Sequence, residues 1–405
     1  MLSRNYFISI LLTVIFMCGC GDSMNPEDIT GDGDINDTSN AIEIVDCAPE
    51  EELILSNHSD GVDYIVGCNL NIYKAGIIIE PGTTIFFESD RVLRVDNNGY
   101  IEANGSTSEY ITFSSSTKIA GAWGGIEIAN KDVRNKLQAC TIEYAGEANS
   151  KCALLVGNAF EARVSIDQCI IRHSSNFGIY VRSDSELLSF SNNTISNTSK
   201  ASISVFKIAQ LNSIESNNQF IESEEFDGVA LRNSTTSSSE NITINGIKVL
   251  FLKDTNIRGP LTISAGSELV MTSDIQVVLK GGGSNIGRIT ANGTAANPII
   301  IRGAEPISGF WAGILLEESS VNNSFSNVKL SDGGGRKISG TVTFQPGIAN
   351  LVVGDGFFGE ATKITMTNCE VNNSANCGVF VAKNSTYTPT NVTYNNNVGG
   401  NICNE

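Results

Sequence analysis

The stretch DYIVGCNLNIYKAGIIIEPGTTIFF (residues 63–87) decides how this chain is read. Apolar and polar residues alternate, the pattern breaks at Pro81-Gly82, and it then resumes. Alternation of this kind puts successive side chains on opposite faces of an extended strand. The pattern returns as IKVLFLKDTNIRGPLTISAGSELVM (residues 247–271), with Gly266 in the place of Gly82 at an offset of 266 − 82 = 184. A chain that repeats one extended-strand paragraph buries its faces by stacking one unit on the next.

Working outward, a shorter period appears. SIDQCIIRHSSNFGI (165–179) aligns without a gap on SFSNNTISNTSKASI (189–203), at an offset of 193 − 169 = 24. Ile166 meets Phe190, Cys169 meets Asn193, Ile171 meets Ile195 and Ile179 meets Ile203. One unit is therefore three short strands and three turns, the signature of an all-β, right-handed parallel β-helix. At about 4.8 Å per rung, some 340 residues make roughly fourteen rungs. Ile179 and Val181 are expected inside and Tyr180 outside. Ile179→Asp should collapse secretion or solubility, whereas Glu127→Ala should leave melting unchanged.

A larger duplication overlies the rungs. Trp123 in GAWGGIEI and Trp311 in GFWAGILL differ by 311 − 123 = 188, as do the two ANG turns at Asn104 and Asn292. The expected organisation is a targeting segment (1–20), an acidic tether (21–45), a first copy (46–246) and a second copy (247–405) continuous with it. The second copy carries extra residues around 345–359. The stretch NSTTSSSEN (233–241) reads as a surface loop or weak linker.

Composition sets the class. The chain has 405 residues, 41% hydrophobic and 17% charged, with a formal charge of −18. That is globular composition, and its acidity disfavours nucleic acid as a partner. Residues 1–20 carry Arg4, a short apolar run, and Met17-Cys18-Gly19-Cys20. This resembles the lipobox of bacterial lipoproteins, with Met17 where Leu is commonest. The resemblance implies acylation at Cys20, a membrane attached through lipid, and a place in the cell envelope. The alternative is an ordinary cleaved signal with incidental cysteines. In the tether, Asp28, Asp32 and Asp34 surround Gly33 much as in a calcium loop of the EF-hand or dockerin kind. Thr30 and Ser39 stand where acids are expected, so the match is imperfect; no cofactor is expected, and Ca²⁺ is the one alternative.

An exported protein can hold disulfides. Cys140 and Cys169 fall in one column of the rung alignment and could either pack as small apolar fillers or bridge adjacent rungs. Cys47 with Cys68, and Cys377 with Cys403, are candidate staples near the two ends. No CxxC pair occurs and the chain has 2 histidines, which argues against zinc.

The EPGTTI, G-x-W-x-G-I and IEYAG pieces together resemble secreted and lipid-anchored bacterial proteins with right-handed parallel β-helix repeats. That architecture is shared with pectate lyases, polygalacturonases, chondroitinases, tailspikes and adhesins, and the branch carrying these motifs has no assigned chemistry to transfer.

Candidate chemistry is sparse. Arg172, His173 and Arg182 form a basic cluster that could face one groove, as a lyase base would require; the plainer reading is solvated charge at a corner. Glu127 and Glu143, both outward, could pair as carboxylates. Glu127, Leu155, Tyr180 and Ser204 should line one outward column, with Phe380 matching Tyr180 in the second copy. Exposed aromatics there suit a glycan or a surface protein. Trp123 and Trp311 suit a rung corner better than sugar stacking. The favoured function is a lipid-anchored, non-catalytic binding or adhesion scaffold. Alternatives are a polysaccharide lyase or glycoside hydrolase with a divergent site, or a purely structural envelope component. Three or more Arg, Lys, Asp or Glu gathered in one groove would favour the enzyme.

Overall fold

The computed structural model describes residues 36–147, 152–233, 241–281, 287–317, 322–338, 347–354 and 362–405. Short strands follow one another around three faces, and the paired strands run parallel between rungs. The chain is a right-handed parallel β-helix. The alignment made from sequence is the physical register. Ile166 lies beside Phe190, Ile171 beside Ile195, and Ile179 beside Ile203. All six side chains are buried in one cluster that runs through the coil. Each enclosed Ile or Val contributes roughly 1.5–3 kcal/mol. Gly82 and Gly266 share the left-handed turn conformation, with φ 78° and 79°, which a side chain there would strain.

One sheet of 13 strands runs through both copies, in keeping with the rung number that the length suggests. The other two faces are divided. In the first copy they are sheets of 8 and 6 strands, and in the second copy two sheets of 6. The division falls between the strands Phe226–Leu231 and Ile242–Ile244, a few residues before position 247. The copies are joined out of phase. In the first copy the strand after the tryptophan corner, Gly125–Ile128, belongs to the shared sheet. Its counterpart Gly313–Leu316 belongs to a sheet confined to the second copy. The shared sheet is continued instead by Ile299–Gly303, the counterpart of Ile111–Ser114.

The tryptophans lie inside the coil, both 0% exposed. Trp123 stacks on Phe87 at 4.4 Å. Its Nε1–H donates to the Glu143 carbonyl at 2.8 Å, and that of Trp311 to the Ser331 carbonyl at 2.8 Å. A buried indole needs such an acceptor, and both copies supply it from the next rung.

The cysteines divide cleanly. Cys47 is bonded to Cys68 and Cys377 to Cys403, with Cα separations of 6.1 and 6.0 Å. Cys140 and Cys169 are free and buried, so the bridge considered between them is not formed. In a parallel column the two Cα–Cβ bonds run side by side rather than toward each other. Each thiol reaches a backbone carbonyl instead, Gln138 from Cys140 and Leu137 from Cys169, both at 3.4 Å. Cys20, Asp28, Asp32 and Asp34 lie outside the described residues. Among those described, no cluster of three or more metal-ligating side chains occurs.

Candidate functional site

The residues singled out from sequence do not assemble into one site. Glu127, Leu155, Tyr180 and Ser204 do stack as an outward column on the shared sheet. Phe380 does not join them, because the change of phase places its strand, Cys377–Val381, on a second-copy sheet. There it continues the outward column of Leu315 and Val352, an apolar face covered in part by buried Ile338.

Glu127 points outward yet is only 6% exposed. Arg94 donates to its Oε2 at 3.0 and 3.1 Å, and the Asn158 amide donates to Oε1. Glu143, at 2% exposure, lies on the 8-stranded sheet, so the two carboxylates do not form a pair. The Ser114 hydroxyl donates to Glu143 Oε1 at 2.8 Å, and Lys118 lies 3.3 Å from the same oxygen. Arg172 donates to Oε2 from Nε at 2.9 Å and Nη2 at 2.8 Å. Burial pushes this carboxyl up, but Arg172, Ser114 and Lys118 together hold it below the usual carboxylate range.

The basic cluster is likewise dispersed. Arg172 is committed to Glu143. Arg182 follows the shared sheet and donates to the Asn158 carbonyl at 3.1 Å. His173 stacks on Tyr144 at 5.0 Å, and burial together with Arg172 lowers its pKa.

A groove does form elsewhere, at the corner between the shared sheet and the 6-stranded first-copy sheet. Its origin is local. Val164 pairs with Leu187 but Ser165 with Ser189, so Leu188 is an extra residue, bulged outward and exposed. Bulges redirect side chains and often sit beside binding sites. One rung later the strand on this face gives way to a 3-10 helix, Ile208–Ser213. Gln210 ties that helix down. Its Oε1 accepts from the backbone N–H groups of Phe206 and Lys207 at 2.8 and 2.9 Å, and its Nε2 donates to the Ser185 carbonyl at 2.7 Å. Helix and bulge enclose a cavity of about 430 Å³ whose lining includes Glu161, Asp184, Glu186, Leu188 and Lys207. A second cavity of about 470 Å³, lined by Asn97, Asn130, Lys131 and Phe160, shares Glu161 with it. Phe160 is 69% exposed. Each volume is typical of a small-molecule site.

Four of the lining residues are charged and gather in one groove, the condition set from sequence for favouring an enzyme. Each carboxylate nonetheless has a cationic partner. Glu161 pairs with Lys131, Asp184 with Lys207, and Glu186 with Arg163 at 2.8 Å. The bond from Lys131 holds the Glu161 carboxyl below its ordinary range. Sequence reasoning passed over this groove, although one signal was present. The alternation lapses in KIAQLNS (207–213). The bulge leaves no such mark, because Leu187 and Leu188 fit equally opposite Val164.

Residues 101–280 match a family model described as the right handed beta helix region. No curated protein matches the chain. Among solved structures, it is similar to the catalytic domain of a GH87 alpha-1,3-glucanase in complex with nigerose, at 12% identity and a TM-score of 0.29, covering 95% of this chain and 67% of that one. It is also similar to the Agl-KA catalytic domain, at 13% identity and a TM-score of 0.31, over 87% of this chain and 62% of that one. Likeness of this order carries no argument about the groove, whose residues are read from this chain alone.

Proposed function

We propose that this protein binds glycan chains in the groove beside Leu188. One observation carries the reading: a rigid coil presents exposed apolar side chains, Leu188 and Phe160, beside a row of carboxylates and amides. Sugar rings are recognised by that combination, a ring face on an apolar or aromatic surface with hydroxyls bonded to fixed polar groups. The carboxylates are cation-paired, and Lys131 holds that of Glu161 below its ordinary range. A glycosidase acid needs the opposite, a carboxyl whose pKa is raised, so binding without turnover fits better. Titration calorimetry with a panel of oligosaccharides tests this. Binding should be lost in Leu188→Asp and weakened in Phe160→Ala with melting retained; variants that bind as the parent does would sink the idea.

A second reading has one observation in its favour, three carboxylates around a single groove. Release of reducing ends from a polysaccharide, abolished by Glu186→Gln, would establish hydrolysis. Acylation at Cys20, tethering the coil to the cell envelope through a segment shorter than the 21–45 expected from sequence because Ile42–Ile44 is already a strand of the coil, belongs to the same proposal. Incorporation of labelled palmitate, lost in Cys20→Ala, is its test.

A further inference from the structure

At the corner that follows the shared sheet, three successive rungs place Arg182, Phe206 and Arg232 one above another, as the pairing of Tyr180 with Ser204 and Val205 with Leu231 requires. The Arg232 guanidinium reaches back to the rung of Tyr180, on which Arg182 stands. Arg232 passes Phe206 at 5.6 Å and lies over the Tyr180 ring at 3.8 Å. Its Nη1 donates to the Tyr180 hydroxyl and its Nη2 to the Val181 carbonyl, both at 2.6 Å. Arg182 reaches the neighbouring rung, where Nη1 donates to the Asn158 carbonyl at 3.1 Å.

What distinguishes this pair is its partners, which are all neutral. Among the described residues no carboxylate stands within ion-pair distance of either guanidinium. Glu127, bonded to Asn158, is neutralised by Arg94, and Asp184 by Lys207. Arg232 Nε is buried without an acceptor. In a chain of net charge −18, Arg232 is fixed over an aromatic ring and Arg182 stands on that ring's rung, neither with a carboxylate partner among the described residues. Stacking and the two Nη bonds hold Arg232 in one orientation, so little freedom remains to be lost when a ligand arrives. Like charges held close repel each other and are relieved by an anion between them.

We propose that Arg182 and Arg232 form a docking site for a single oxyanion, the chemistry shared by a uronate carboxylate and a sulfate ester. Ser183 and Asp184, which line the Leu188 groove, directly follow Arg182. An acidic substituent held here would therefore anchor a sugar chain that continues into the groove. The sugar part of this inference rests on the glycan-binding reading; the oxyanion part does not.

The test is titration calorimetry with three oligosaccharides of equal length, one sulfated, one uronate-containing and one neutral, at low and at high salt. Whichever acidic oligomer is the ligand should bind about tenfold or more tightly than the neutral one, as expected for one charge-assisted contact. The advantage should vanish at high salt. Arg182→Gln, at an exposed position, and Arg232→Gln should each remove the advantage and leave neutral binding as it was. Equal binding of all three, or a preference that survives both substitutions, overturns the proposal and leaves the groove reading standing. Binding of an acidic oligomer alone upholds the oxyanion site and removes the groove reading. If none binds, both fall.

Discussion

Arg172 grips one oxygen of Glu143 with two nitrogens, Nε at 2.9 Å and Nη2 at 2.8 Å. A residue that sequence alone suggests as a catalytic base is thus part of the frame. Arg172→Ala should cost about 1–2 kcal/mol, near the lower end for charged hydrogen bonds because the arginine is partly solvated and Lys118 remains. Urea unfolding of Arg172→Ala, Glu143→Ala and the double variant checks this, with a coupling of about 1 kcal/mol expected.

Acid should weaken the fold in two steps. His173 has a folded pKa below its ordinary value, so the unfolded chain takes up that proton first. Its contribution is full above about pH 6.5 and is lost as pH falls through the lower folded value. Glu143 is also held low, and its contribution is present above about pH 4.5 and lost below it. Thermal melts across this range should show both steps. His173→Asn, which suits the local φ of 55°, should remove the upper one.

Glu127→Ala should lower the melting temperature, contrary to the neutral outcome expected from an outward position on a strand. The substitution leaves Arg94 and Asn158 without the carboxylate they share, a loss of about 1–2 kcal/mol. Ile179→Asp should still abolish folding, since the position is fully enclosed and a buried carboxyl finds no partner there. Differential scanning calorimetry of the two variants separates the cases.

Gln210→Ala should loosen the helix Ile208–Ser213 while sparing the coil. The substitution removes the acceptor for two backbone N–H groups and the donor to Ser185. Hydrogen exchange should accelerate at 206–214, and oligosaccharide affinity should fall, with the main melting transition little changed.

Much of the coil was legible because enclosure is periodic. Ile166, Ile171 and Ile179 each lie beside the partner that a gapless alignment assigns to them. Phe380 shows where that logic stops. Its equivalence to Tyr180 within the repeat is sound, but position along a repeat does not say which face of the prism a copy starts on. The charged residues were misjudged for a related reason. Glu127 and Arg94 are 33 residues apart in sequence and adjacent in register, so an ion pair across rungs leaves no local mark. The groove escaped because it is made by departures from the period, the extra Leu188 and the non-alternating 207–213, and a search for repetition passes over what fails to repeat.

The phase change at the join has a mechanical side. Among the described residues, only the shared sheet continues across it as paired strands, with Asn212 adding side-chain bonds to the Asn241 carbonyl and the Thr243 N–H. Elongated stacks of this kind hold together neighbour by neighbour, and here one neighbour contact has a single strand seam where most have three. Pulled from its ends, the molecule should part first between Leu231 and Ile242, yielding two intact half-spirals before either unravels.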